Sequence, residues 1–176
     1  EMVEEYRVKL IPFFISQDEE TFIDDGSNSM KILHAMETSS NPVRTACASP
    51  GTFIDALEGT TADEIYIVTI SSKLSGSYAS AMSGAKQFME THPDKKVHVF
   101  DSMSASAGES LVVVELYRQL QVSQSHEELV AAMTKFTQEM KTYFIIDSLD
   151  SLMKNGRLSK AKGLIATALS VKPILG

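Results

Sequence analysis

The stretch Ser71-Ser72-Lys73-Leu74-Ser75-Gly76-Ser77 places four hydroxyls and one glycine directly ahead of a helical pattern. Hydroxyls at a helix start can donate to a carboxylate or phosphate oxygen, and the helix dipole favours that negative charge by roughly 0.3–1 kcal/mol at an exposed site. The turn is therefore a candidate anion cradle. A plainer role is equally open, because a Ser in this place commonly serves only as an N-cap. A second run, Arg44-Thr45-Ala46-Cys47-Ala48-Ser49-Pro50-Gly51, also leads into a helical pattern, with Ser49 as a simple cap or as part of a second cradle. Two such loops at one sheet edge could converge on one anion. The third run, Phe100-Asp101-Ser102-Met103-Ser104-Ala105-Ser106, offers Asp101 as a base, although an Asp ending a strand is more often a turn or capping residue. Arg157, within Asn155-Gly156-Arg157-Leu158-Ser159, has a guanidinium that can clamp a carboxylate or phosphate bidentately, or simply solvate a helix end.

Other chemistries lack their signatures. There is no G-x-G-x-x-G, no G-x-x-x-x-G-K, no G-x-S-x-G and no H-E-x-x-H. The four histidines, His34, His92, His98 and His126, stand apart in sequence, and the single Cys47 has no Cys or His neighbours at zinc spacing. No metal or cofactor is expected. A Ser75, His98, Asp101 triad is conceivable, but residues three apart in a strand point to opposite faces.

The elements that must position these loops follow from hydrophobic period. Residues 10–15 are apolar without alternation, as a strand buried on both faces would be, and Pro12 inside them argues for an edge or a bulge. Residues 64–70, 96–100 and 143–146 are further strands, and the run 170–175 reads as another just begun. Between them lie helices. Ser27 is placed to cap one whose stripe is Met30, Leu33 and Met36, with Ile32 beside it and His34 off it. Pro50 fits the first turn of the next, with Phe53, Ile54 and Leu57 as its apolar face and Gly59 at its end. Tyr78, Ala79, Met82, Ala85, Phe88 and Met89 mark a longer one, stopped by Pro93. Leu111, Val112, Leu116 and Leu120, then Leu129, Met133, Phe136 and Met140, mark two more, and Leu149, Leu152 and Met153 a short last one. Strands alternating with helices argue for parallel βαβ units, hence an α/β fold: a layered domain with a mainly parallel sheet.

A length of 176 residues fits about one domain, and 43% hydrophobic against 22% charged residues excludes a disordered or collagen-like chain. Sixteen Lys and Arg against 23 Asp and Glu give a net charge of −7. That sign is wrong for neutralising a phosphate backbone, so nucleic acid is not an expected partner. The apolar runs fall far short of the ~20 residues that span a bilayer, so no transmembrane segment is expected, and a lone Cys suits a reducing cytoplasm.

Taken together, the loops carry a resemblance. Thr45 with Ser49-Pro50-Gly51-Thr52-Phe53, then Ile70-Ser71-Ser72-Lys73-Leu74-Ser75-Gly76-Ser77-Tyr78, then Asp101-Ser102 followed by Gly108, then Asp147-Ser148-Leu149 with Lys154-Asn155-Gly156-Arg157-Leu158, closely resemble the DegV family of bacterial fatty-acid-binding proteins. Asp24-Asp25-Gly26 resembles the family's early Asp-Gly turn. The resemblance covers almost the whole chain and implies the family's amino-terminal domain, lacking its first strand and the carboxyl-terminal domain. It implies a protein that binds one long-chain fatty acid in a tunnel, with the carboxylate held by Thr45 and Ser75, and that presents it to a fatty acid kinase rather than catalysing a reaction itself. Ser71, Ser72, Gly76 and Arg157 complete the expected ligand-binding set. Where many members have Thr-Ser-Gln-Pro, this chain has Thr45-Ala46-Cys47-Ala48, which keeps the Thr and changes its neighbours.

The physical chemistry is consistent with that implication. Burying each CH₂ of an acyl chain contributes roughly 0.8 kcal/mol, and nine Met residues could line a cavity flexibly, or equally fill an ordinary core. An alternative from another class is an α/β enzyme or sensor that binds a small phosphorylated ligand at the same Ser-rich turn. A chain without the covering domain is further expected to expose apolar surface, bind fatty acid poorly or associate with itself.

Overall fold

Two β-branched stretches, 64–69 and 96–101, lie side by side in parallel, which requires the chain to cross over between them. The computed structural model describes residues 2–39, 41, 43–145 and 174–175. In chain order they form α1 (Met2–Glu5), β1 (Phe14–Gln17), β2 (Glu20–Ile23), α2 (Ser29–Thr38), β3 (Arg44–Ala46), α3 (Pro50–Leu57) and β4 (Glu64–Thr69). There follow α4 (Ser77–Thr91), β5 (Lys96–Asp101), α5 (Ala107–Val122), α6 (His126–Glu139), β6 (Phe144–Ile145) and β7 (Ile174–Leu175). The chain divides into two compact units, Glu1–Ile11 with Cys47–Lys141, and Pro12–Ala46 with Thr142–Gly176.

In the larger unit α4 is the crossover between β4 and β5, whose register pairs Ile65 with Val97, Ile67 with Val99 and Thr69 with Asp101. Alternate residues of a strand face opposite ways, so this pair is covered on both sides. Ile67, Val97 and Val99 join Ala48, Phe53, Ala81 and Ala85 in one cluster. Tyr66, Val68 and Phe100 join Val112, Leu116, Leu129 and Met133 in the other. This is the α/β layering and parallel βαβ unit that the hydrophobic period leads one to expect. The local signals for α3 hold as well. Ser49 Oγ accepts from the Thr52 amide at 3.2 Å, Pro50 occupies the first turn, and Gly59, at φ +74°, follows the C-cap.

On α4 the buried face matches the expected stripe only in part. Ala81, Gly84, Ala85 and Phe88 are buried, whereas Met82 and Ala79 are exposed. Small residues let α3 approach closely: a Cβ on Gly84 would lie 2.7 Å from the Pro50 carbonyl oxygen and 2.8 Å from Phe53 Cβ.

The smaller unit pairs its strands antiparallel, in the order β2-β1-β3. The expectation of a both-faces-buried strand over 10–15 is corrected here. The strand begins at Phe14, it is the central one of three, and Leu10 is exposed. A central strand needs an N–H on both edges, so it starts beyond Pro12, which has none. Asp18 takes φ +54° in the two-residue turn to β2, a conformation Asp tolerates through local hydrogen bonding. Ser27 does not cap α2; Asn28 sits at the cap position without a side-chain capping bond, and Ser27 Oγ instead donates to Asp25 Oδ1 at 2.5 Å. That bond holds the Asp25 carboxyl below its ordinary range and ties the turn at Gly26, where φ is +85°. The strand expected over 143–146 is seen at Phe144–Ile145, pairing antiparallel with Ile174–Leu175.

Candidate functional site

At the carboxyl ends of β4 and β5 the chain leaves the sheet in two serine-rich loops, where ligands bind in parallel α/β sheets. The Ser71 amide donates to the Ser104 carbonyl at 2.8 Å, and the Ser102 amide to the Thr69 carbonyl at 3.1 Å. Ser71, Ser102 and Ser104 are buried, so these bonds also satisfy backbone groups that water cannot reach. Ser71 in turn organises the turn that follows. Its carbonyl accepts from the Leu74 amide at 2.9 Å and from the Ser75 amide at 3.1 Å, and its Oγ accepts from the Lys73 amide at 3.3 Å.

Ser75 stands at the head of α4, half-buried. Its Oγ accepts from the Ser77 amide at 3.2 Å and lies 3.0 Å from Ser77 Oγ. One acceptor position of the Ser75 hydroxyl is thereby used. Its single proton is left for an anion when Ser77 is the donor of the pair. Gly76 is the cap residue of α4 with ordinary negative φ, so it is not there for a left-handed conformation. A Cβ on Gly76 would meet Cys47 Sγ at 3.4 Å, an ordinary contact. The loop that starts α3 is also held at α4 by Ser80, whose Oγ donates to the Ala48 carbonyl at 2.6 Å. Within the larger unit, then, residues 47–48 lie against the head of α4.

Thr45 lies exposed in β3 of the smaller unit, paired in register with Ile15. Ser72 is exposed, with its amide bonded to Asp101 Oδ1 at 3.1 Å. Arg157 and the segments around Asp147 and Asn155 lie outside the described residues. Asp101 also accepts from the Met103 amide at 2.9 Å, which is the turn role rather than that of a base in a triad.

Sequence reasoning missed one cluster. His98 and His126, 28 positions apart, have ring centroids 6.1 Å apart, with Tyr66 stacked on His126 at 5.4 Å. Tyr66 Oη donates to Glu64 Oε2 at 2.9 Å and lies 3.0 Å from His126 Nδ1. The one phenol proton goes to Glu64, so His126 Nδ1 is the donor to the Tyr66 oxygen. Burial pushes the Tyr66 phenol well above its ordinary range, with Glu64 adding to the effect. Burial lowers His98, and His126 lowers it further. No local motif announces such a cluster, because strand pairing and the packing of α6 create it.

A family model described as "Uncharacterised protein, DegV family" matches residues 1–176. The chain belongs to the DegV family. A DegV domain-containing protein of Streptococcus pneumoniae is 35% identical over 165 residues, covering 93% of this chain and 58% of that protein. This chain thus spans 58% of the length of that curated relative. Among solved structures, the Fatty Acid Kinase (Fak) B3 protein of S. pneumoniae, loaded with linoleic acid, is similar with a TM-score of 0.85 and 35% identity, over 93% of this chain and 58% of that one. A DegV family protein from Eubacterium eligens, loaded with heptadecanoic acid, is similar with a TM-score of 0.82 and 32% identity, over 90% of this chain and 57% of that one. No described helix is long and apolar enough to cross a membrane.

Proposed function

We propose that this DegV-family chain binds a long-chain fatty acid and presents it to a fatty acid kinase, which phosphorylates the carboxylate. The observation that carries this reading is the pair of relatives, 35% and 32% identical, whose structures hold linoleic and heptadecanoic acid. An acyl chain gains roughly 0.8 kcal/mol per buried CH₂, but its carboxylate must meet donors wherever it leaves water. Ser75, half-buried at the head of a 15-residue helix, is such a donor. The buried Ser71 shapes its turn, and Thr45 is the second hydroxyl that the family resemblance assigns. Binding of this kind requires no covalent step from the chain; the phosphoryl transfer belongs to the kinase.

Native mass spectrometry of the intact protein purified from a bacterial host tests the reading. A co-purified mass matching a long-chain acid is expected. A clean unliganded mass, with a nucleotide or sugar phosphate raising the melting temperature, would favour a phosphorylated ligand instead. Ser75→Ala and Thr45→Ala are each expected to weaken palmitate binding by roughly ten- to hundredfold, the effect of losing one hydrogen bond to a charged group, ~1.5–3 kcal/mol. If both variants hold palmitate as tightly as the wild type, the carboxylate site is wrongly assigned.

A further inference from the structure

We propose that Asp101 is a positioning residue for the 71–76 turn: its Oδ1, by tying that turn to the 102–106 loop, fixes where Ser75 can meet an acyl carboxylate. The inference rests on the fatty-acid reading above for its ligand, and on the hydrogen bonds of the loops for its mechanism. Asp101 is the last residue of β5, opposite Thr69 at the end of β4, so it sits where both loops leave the sheet. Two amides donate to the same oxygen, Ser72 at 3.1 Å from one loop and Met103 at 2.9 Å from the other. Ser71, next to Ser72, is held by the Ser104 carbonyl at 2.8 Å and itself accepts the Ser75 amide at 3.1 Å. Ser75 is thus two hydrogen-bonded steps from Asp101.

The second loop needs such a tie. Met103 and Ser106 take φ values of +52° and +53°, a left-handed region that costs a residue with a Cβ roughly 1 kcal/mol or more unless its surroundings enforce it. Charged acceptors form the stronger hydrogen bonds, which suits a carboxylate to the task. Yet a negative charge beside a turn meant for an anion opposes binding by simple repulsion. The geometry therefore separates two effects of one side chain: the acceptor oxygen helps, and the charge hinders. Asparagine keeps the oxygen and removes the charge.

Binding of palmitate to the intact protein is compared for the wild type, Asp101→Ala and Asp101→Asn, with Val112→Ala as a control that loosens the opposite core cluster. Asp101→Ala is expected to bind about tenfold more weakly or worse, while Asp101→Asn binds within about twofold of the wild type or more tightly. Val112→Ala is expected to lose melting temperature and keep affinity, the pattern that Asp101→Ala would share if its role were purely structural. Amide hydrogen exchange supplies a readout that needs no ligand: Asp101→Ala should speed exchange at Ser72 and Ser75 and leave α6 unchanged. Faster exchange there in a protein that binds no fatty acid would sink the ligand reading and support the tie. Unchanged exchange, or an Asp101→Asn variant as impaired as Asp101→Ala, would overturn the inference whatever the ligand.

Discussion

His98 shows how far one residue's chemistry depends on partners distant in sequence. On β5 it faces Tyr66 and Glu64 of β4 and His126 of α6, with Lys96 and Glu127 paired at 3.8 Å nearby. Burial first, and then His126, hold it below the ordinary histidine value of 6.5. The unfolded chain therefore takes up this proton more readily than the folded one. The associated stability is fully present above the unfolded value and is lost as pH falls through the lower folded value. His98→Gln, which cannot titrate, is expected to flatten the acid limb of melting temperature as pH falls from about 7 through the histidine range. Thermal melts across that interval are the check, and a variant whose acid limb runs parallel to the wild type's would dismiss His98 as its source. The serines behave differently, since Ser49 and Ser75 have roles readable from their immediate neighbours. Asp101 falls between: its capping character is local, but its bond to Ser72 exists only because β4 and β5 pair.

At the scale of elements, the start and end of α3 were legible because caps are local, and Ser49, Pro50 and Gly59 each act within a few residues. The face of α4 was legible in part. The expected stripe includes Ala85 and Phe88, which are buried, but also Ala79 and Met82, which are exposed, and it omits Ala81 and Gly84, whose smallness is the signal of the contact with α3. Gly84 gives the sharpest test. Alanine in a helix interior is favoured over glycine by roughly 0.5–1 kcal/mol. Here the new Cβ would lie 2.7 Å from a backbone oxygen of α3, which cannot swing aside as a side chain can. Overpacking of that kind costs typically ~1–3 kcal/mol, so Gly84→Ala is expected to be destabilised by about 1 kcal/mol or more in urea unfolding. A variant as stable as the wild type would mean that α3 can back away freely. The residues 10–15 teach a related lesson: an apolar run suggests a strand, but Pro12 decides where pairing can begin.

At the scale of the whole molecule, exposed apolar surface is the informative feature. The chain spans 58% of its pneumococcal relative, and several large apolar side chains stand in the open, with Met30 at 78% exposure, Tyr143 at 71% and Ile174 at 68%. Single exposed apolar residues are ordinary, but Tyr143, Phe144, Ile145 and Ile174 occupy one short antiparallel pair and its approach. Among the described residues these two strands pair only with each other, and an unpaired edge invites another chain. The 176-residue chain alone is therefore expected to associate with itself, or to hold palmitate more weakly than the relative that carries linoleic acid. Light scattering beside a fatty-acid titration decides between the outcomes. Were the chain a stable monomer that binds a long-chain acid as firmly as that relative, the tunnel would have to be built within these residues, and the exposed apolar pair would need another explanation.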